Sequence, residues 1–324
     1  MLIENNNLQD KALEDRKIRA IFGQKSTYCT TKDNIIDLYV KIPFLGRYST
    51  ENLLLHPGVI YHKFGFYVIE SADRIAGVLI EEVTFPLEKS VHEIYLNFLK
   101  LTKDWNLFRI WNYVPYINEE TEGLENYKSF CKGRSLAFET FYGHNFDVKL
   151  PAASAVGIND NKLVLYFIAG QAPTTHIENP EQVSAFYYPP KYGPRSPSFA
   201  RGTLVKQNGK RVGYLSGTAS IKNHASVTLR NISEQFHTTF DNMRLVFERM
   251  GFLEGMNYYG SLPDPAKYDR TFKVYIRHQE DAEYIQNLFA KSIWASEDDN
   301  IIYLQADICR PELNIEIEAI ISEL

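Results

Sequence analysis

Apolar and polar positions alternate in short bursts along most of this chain, broken by proline and glycine, and lengthen into helical stripes at four places. Segments 36–42, 59–69 and 76–85 are apolar and rich in β-branched residues, and the last of them stops at Pro86. Val91, Ile94, Phe98 and Leu101 then fall on one face of a helix. A strand pattern returns over 108–114 and ends at Pro115, and a second helix-like stretch covers about 121–138. The same order comes back later. Residues 211–221 predict a strand, and Phe236, Phe240, Met243, Phe247 and Met250 form a helical stripe that Gly251 closes. Residues 270–277 predict a strand, 280–293 a helix, and 301–308 and 313–321 two final strands.

Matching the halves sets Asn97 against Asn242 and Val114 against Ile276, so the pattern predicts two related units. Residues 1–35 lack periodicity and predict a loosely held leader. The first unit is expected over 36–150 and the second over 205–324. Between them, 151–204 reads as a Pro-rich connector that contains one strongly apolar strand, 163–168.

Composition narrows the possibilities without naming one. With 324 residues, 44% hydrophobic and 23% charged, the chain is an ordinary globular protein able to bury a real core. Its 21 tyrosines and 20 phenylalanines suggest aromatic-lined cores or pockets. A net charge of -5 and the lack of a dense Lys/Arg run argue against nucleic acid as the main partner. The most apolar run, 162–169, is far short of the ~20 residues a membrane helix needs. The polar N-terminus is no signal peptide, and Cys29, Cys131 and Cys309 are few, odd in number and widely spaced. The expectation is a cytoplasmic protein with free thiols. HExxH, paired CxxC, GxGxxG and GxxxxGK[ST] are all missing, so neither metal nor cofactor is expected.

The most distinctive stretch is Y-G-P-R-S-P-S-F-A-R, from Tyr192 to Arg201. Pro189, Pro190, Pro194 and Pro197 rule out a helix or a central strand there, leaving a stiff loop. Arg195 and Arg201 would project from it, and a guanidinium matches a planar carboxylate with two parallel donors. A Pro-rich connection with merely solvated arginines is the plain alternative.

From about 205 onward, S-G-T-A-S-I, then E-Q with Asn242, K-V-Y-I-R and C-R-P-E-L-N-I-E-I-E-A resemble the RidA/YjgF superfamily. That resemblance implies an α+β fold of two tandem RidA/YjgF-like (chorismate-mutase-like) units, mixed sheets with helices packed on one face. Taken with R-I-W-N-Y-V-P-Y-I-N, F-C-K-G-R-S and Q-V-S-A-F-Y-Y-P, the motifs fall in the order found in the chorismatases. The chain resembles that family from about residue 55 to its end. The resemblance implies removal of pyruvate from the small molecule chorismate, in secondary metabolism, by a monomer or small homo-oligomer.

Chorismate carries two carboxylates and an enol ether. Cleaving the ether requires a proton on the enolpyruvyl methylene carbon, and so a neutral acid within reach of carbon. Glu316 matches the family's catalytic glutamate. On a strand Asn314, Glu316 and Glu318 share one face, and the pattern alone would send those glutamates to water. Arg195, Arg201, Arg277 and Arg134 are the expected carboxylate ligands, with Tyr275 pointing the same way as Arg277. Tyr192, Ala219 and Ser220 complete the expected binding set. Cys309 looks like the cysteine of 3-hydroxybenzoate synthases, whereas Ala219 looks like the residue of the hydrolases that give a dihydroxycyclohexadiene carboxylate. The expected product is 3-hydroxybenzoate, the hydrolytic product being the alternative. A non-catalytic protein that binds a small carboxylate is the reading from another class.

Overall fold

The computed structural model describes residues 16–54, 58–207, 209–227, 231–253, 263–291, 296 and 299–324. Its first sheet begins inside the expected leader. Strands β1 (Arg16–Phe22), β2 (Tyr28–Lys32), β3 (Ile35–Val40) and β4 (Thr50–Leu54) form a four-stranded sheet in the order β2-β3-β1-β4. The leader expectation is corrected for 16–35, and residues 1–15 lie outside the described part. Ile18, Ala20, Phe22, Ile36, Leu38 and Val40 are all buried. The segment from Ile36 was expected, whereas the alternation of Ile18, Ala20 and Phe22 was overlooked; Asp33 and Asn34, both at positive φ, make the tight turn between β2 and β3.

The next two sheets repeat one topology. The first takes β5 (Val59–Lys63), β6 (Phe66–Glu70), β7 (Arg74–Glu82), α1 (Glu88–Leu101) and β8 (Asn106–Pro115). A short hairpin, β9 (Glu120–Thr121) and β10 (Leu124–Glu125), leads to α2 (Asn126–Tyr142), then β11 (Ala152–Ile158) and β12 (Lys162–Gly170). The second takes β13 (Thr174–Ile177), β14 (Gly202–Gln207) and β15 (Lys210–Ala219). A second short hairpin follows, β16 (Ile221–Lys222) and β17 (Ala225–Ser226), and then α3 (Ile232–Arg249). β18 (Tyr268–Ile276), α4 (Ala282–Lys291), β19 (Asn300–Gln305) and β20 (Ile315–Glu323) complete it; of the expected helix, 292–293 lie outside the described residues. Both six-stranded sheets order their strands first, second, third, sixth, fourth, fifth, and in both the fourth and fifth are parallel. The chain is therefore α+β with two tandem units.

The connector expectation needs correction at both ends. The apolar run around 163–168 pairs with β7 on one side and β8 on the other, so it is a central strand of the first sheet. The chain crosses between the two sheets at 171–173, and the prolines lie in 178–201, the loop from β13 to β14 within the second sheet.

Each six-stranded sheet turns one face to its helices and the other inward. On β20, Ile315, Ile317, Ala319 and Ile321 pack toward α3, whose Phe236, Phe240, Met243 and Phe247 are buried against them. Each such side chain contributes roughly 1.5–3 kcal/mol of burial. Asn231 caps α3, accepting from the N–H groups of Ser233 and Glu234. The inward faces of all three sheets share a second core, in which Ile18 and Leu38 meet Trp111, Tyr166, Tyr275 and Leu304. The polar positions of β8, β18 and β20 therefore point into a closed interior.

Candidate active site

The interior holds a charge-balanced cluster. Lys273 Nζ lies 2.8 Å from Glu51 Oε2 and 2.7 Å from Glu318 Oε1, and also donates to the Tyr166 hydroxyl at 2.7 Å. Arg109 Nη2 is 2.8 Å from Glu318 Oε2, and Trp111 Nε1 donates to Glu318 Oε1 at 2.8 Å. Burial opposes the charge on Glu318, but Lys273 and Arg109 outweigh it and hold its pKa below the ordinary carboxylate value. Burial likewise opposes the charge on Lys273, and Glu318 and Glu51 raise its pKa instead. Two cations match two anions. That leaves Glu316 as the uncompensated carboxyl.

Glu316 is one turn of the pleat closer to the mouth of the interior, on the same face as Glu318, and only 4% exposed. Burial pushes its pKa up to about 8, with the nearby Glu318 charge adding to the effect against Arg109, Arg201 and Arg277. At neutral pH it is a carboxylic acid, able to donate. The pattern alone would send both glutamates to water, and Glu318 in particular is buried instead, because this strand face is covered by another sheet.

Glu316 forms the common wall of two cavities. The wider, about 230 Å³, is also lined by Tyr127, Tyr188, Tyr192, Phe199, Arg201, Ala219, Cys309 and Arg310. The narrower slot, about 30 Å³, adds Cys131, Arg134, Ser154 and Ser198. Both lie where α2 and the edge strand β11 meet β15 and β20. The edge is sealed by hydroxyls from the second sheet: Thr203 Oγ1 accepts the Ala152 N–H at 2.8 Å and Ser216 Oγ accepts that of Ala153 at 2.9 Å.

Two buried arginines flank Glu316 with donors to spare. Arg134 is packed against the rings of Tyr95 and Phe138, with Nε and Nη2 unpaired. Arg201 gives Nη2 to the Tyr188 hydroxyl at 2.7 Å and keeps Nε unpaired. Ser198 Oγ is buried and unpaired as well. Leaving such donors dry is costly, so their arrangement suits an anionic ligand. Among the described residues no group of three or more His, Cys, Asp or Glu side chains could hold a metal ion.

The comparisons with known proteins agree with this geometry. Residues 66–169 match the family model described as chorismatase FkbO/Hyg5-like, N-terminal. A 3-hydroxybenzoate synthase of Streptomyces hygroscopicus is 34% identical over 236 residues, which cover 70% of this chain and 67% of the relative. The chain belongs to the chorismatase family. A chorismatase of Streptomyces rapamycinicus is 33% identical over 67% of this chain and 64% of its own length. A chorismatase crystal structure superposes with a TM-score of 0.84 at 28% identity, over 95% of this chain and 93% of that one.

For this chorismatase-family chain, Glu316, Cys309, Ala219, Tyr192 and Arg201 line the wider cavity, and Arg134 lines the slot. Four other expected site residues lie outside both linings. Arg195 pairs with Glu139 at 2.8 Å on the surface. Tyr275 is fully buried in the interior, near the Tyr113 hydroxyl. Ser220 donates to the Val227 carbonyl at 3.0 Å. Arg277 grips the strap 307–313, donating to the carbonyls of Leu313, Ile308 and Arg310 at 2.8, 3.2 and 2.9 Å and pairing with Asp307. It thus sets the position of Cys309 and Arg310.

Arg310 is a residue that sequence reasoning missed. Its guanidinium carbon stands 4.1 Å from the Tyr192 ring centroid, and it donates to Ser226 Oγ and the His224 carbonyl, both at 2.9 Å. Tyr127 was missed as well; burial raises its pKa, so it remains a phenol between the two thiols. The C-R-P-E-L run signalled the first of these, and nothing in the sequence signalled the second.

Proposed function

We propose that this protein removes pyruvate from chorismate, with Glu316 as the proton donor to the enolpyruvyl methylene carbon. One observation carries this reading: a buried, neutral carboxylic acid on the wall between two cavities, with buried unpaired arginine donors on either side. Arg134 and Arg201 would take the two carboxylates and set the enol ether against Glu316. Transfer of the proton breaks the Glu316 O–H bond, forms a methyl group and leaves an oxocarbenium ion. Water can then add, and the adduct falls apart to pyruvate and a dihydroxycyclohexadiene carboxylate. Alternatively the ring rearranges within the substrate and aromatises. Pyruvate plus 3-hydroxybenzoate together contain the atoms of chorismate with nothing added, so this route consumes no water.

The proposed product is 3-hydroxybenzoate. The feature that favours it is Cys309, which presents a thiol to the cavity; burial, with Glu316 nearby, raises its pKa and keeps it protonated. The Ala219 methyl on the same lining is what favours hydrolysis instead. The test is to incubate the purified protein with chorismate and couple released pyruvate to lactate dehydrogenase. Steady turnover supports the enzyme; binding without pyruvate would leave a small-carboxylate binder in its place.

A further inference from the structure

Arg109 has one nitrogen that none of the interior ion pairs uses. Its Nη2 serves Glu318 and Ser154 Oγ, while Nη1 is buried and has no partner. The guanidinium is 1% exposed, so no water compensates that donor from bulk. Ser154 fixes which way it points. Its Oγ accepts from Arg109 Nη2, donates to Glu318 Oε2 and accepts the Gly217 N–H at 3.1 Å. The space over the Gly217 Cα is shared by that same Oγ and by Glu316 Oε1. Arg109, Ser154 and Glu316 thus converge on one point of the sheet junction.

We propose that Arg109 is the positioning residue for the proton transfer, its unpaired Nη1 receiving the Glu316 carboxylate as the proton passes to the substrate. This rests on the function proposed above. Before transfer, the cluster of Arg109, Lys273, Glu318 and Glu51 is balanced and Glu316 is neutral. Transfer creates two charges where there were none, a cation on the substrate and an anion on Glu316, both out of water. A buried cation already held near the anion by Ser154 and Glu318, with a donor to spare, needs little reorganisation at that moment. Arg109 also acts on the acid before transfer, because a cation close by favours its ionised form. Around Glu316 the other charged or titratable groups are Glu318 on its own strand, Arg201 and Cys309 from the loops, Arg277 at the strap, and Tyr127 on α2. Arg134, with Nε and Nη2 buried and unpaired, lines the same slot as Ser154 and Glu316 but is assigned to a substrate carboxylate, which leaves Arg109 as the cation tied to Ser154.

The test compares Arg109→Lys and Ser154→Ala with the parent, measuring pyruvate release and product across neutral to alkaline pH. Lysine keeps the positive charge and the Glu318 pair but has no second planar nitrogen; alanine frees Arg109 from its anchor. The expected result is a kcat lower by about 10²–10³ for Arg109→Lys and a smaller loss for Ser154→Ala, the scale for removing one preorganised donor. KM should stay within a few-fold for both. The alkaline limb of kcat/KM should move to higher pH, since a weakened hold on the Glu316 anion raises the acid's pKa. Folded variants with parent kcat, or with reduced kcat and an unmoved limb, would overturn the proposal. If Arg109→Lys fails to fold, Ser154→Ala decides by the same two readouts. A parent that releases no pyruvate sinks the functional reading instead, so the two failures are distinct.

Discussion

Gly217 and Glu316 occupy one space. A methyl group on Gly217 would overlap Glu316 Oε1 and stand 2.7 Å from its Cδ. The glycine in S-G-T-A-S-I is therefore fixed by the side chain facing it across the β15–β20 pair, where Thr218 is in register with Ile317. Gly217→Ala is expected to keep the fold and displace the acid by about 1 Å. Misplacement of that size costs about 10²-fold in rate. Circular dichroism and the pyruvate assay, run together, check it; parent turnover in a folded variant would mean that Glu316 does not act from this position.

Glu316→Gln keeps the shape and loses the proton. Pyruvate release should fall by about 10²–10⁴, with chorismate still bound by calorimetry. The parent's activity should fall as pH rises through about 8, because only the protonated acid donates. Stability follows the same group. Its folded pKa is raised from 4.5, so the stability it contributes is fully present below 4.5 and is lost as pH rises through about 8. The parent's Tm should accordingly decline between about pH 4.5 and 8 relative to the glutamine variant and run parallel to it at higher pH. Equal declines in both proteins would locate the titration elsewhere.

The arginines divide by burial. Arg134→Lys and Arg201→Lys replace a planar fork by a point charge and should raise KM, with kcat reduced where the bound pose shifts. Arg195→Ala removes a solvent-screened surface ion pair and should leave kinetics within two- to three-fold of the parent. Steady-state kinetics on the three variants separate them. A large loss for Arg195→Ala alone would move a carboxylate site to the surface.

Arg277→Met tests the strap from behind. Four loop groups lose their donor at once, so a fall in Tm is expected together with weaker chorismate binding, although Arg277 lines neither cavity. Parent affinity with a lowered Tm would show that the strap keeps its place without it.

Much of this was legible in the sequence because it depends on local pattern. The stripe from Phe236 to Met250 fixed α3, and alternation put Glu316 and Glu318 on one face of β20. What that face meets was not legible. Whether a glutamate looks at water or into a closed interior depends on β11 and β8, some 150 or more residues away in sequence. Two-residue periodicity carries no information about what covers a sheet. The same limit explains Arg195 and Arg201. They sit six residues apart in one Pro-rich loop, yet one reaches the surface and the other is 5% exposed beneath Tyr188.

Cys309 and Ala219, proposed to set the product, face the same cavity from the strap and from the end of β15. The thiol is neutral, because burial with Glu316 nearby raises its pKa; it therefore can offer a weak S–H donor and bulk, not a thiolate. Alanine at 309 would remove both and widen the cavity beside the ring, leaving room for a water that the aromatising route does not consume. The parent is expected to give 3-hydroxybenzoate with one pyruvate per turnover. Cys309→Ala should shift the product toward the dihydroxycyclohexadiene carboxylate while pyruvate release stays within about ten-fold, since the proton donor is untouched. Ala219→Gly should act in the opposite sense, giving the ring space on the far side and suppressing any diol the parent forms. Chromatography of the reaction mixtures, with the aromatic acid and the diol as standards, reads the ratio directly. A parent that yields only the diol would reject the synthase assignment, and an unchanged ratio in Cys309→Ala would remove Cys309 from the choice of product.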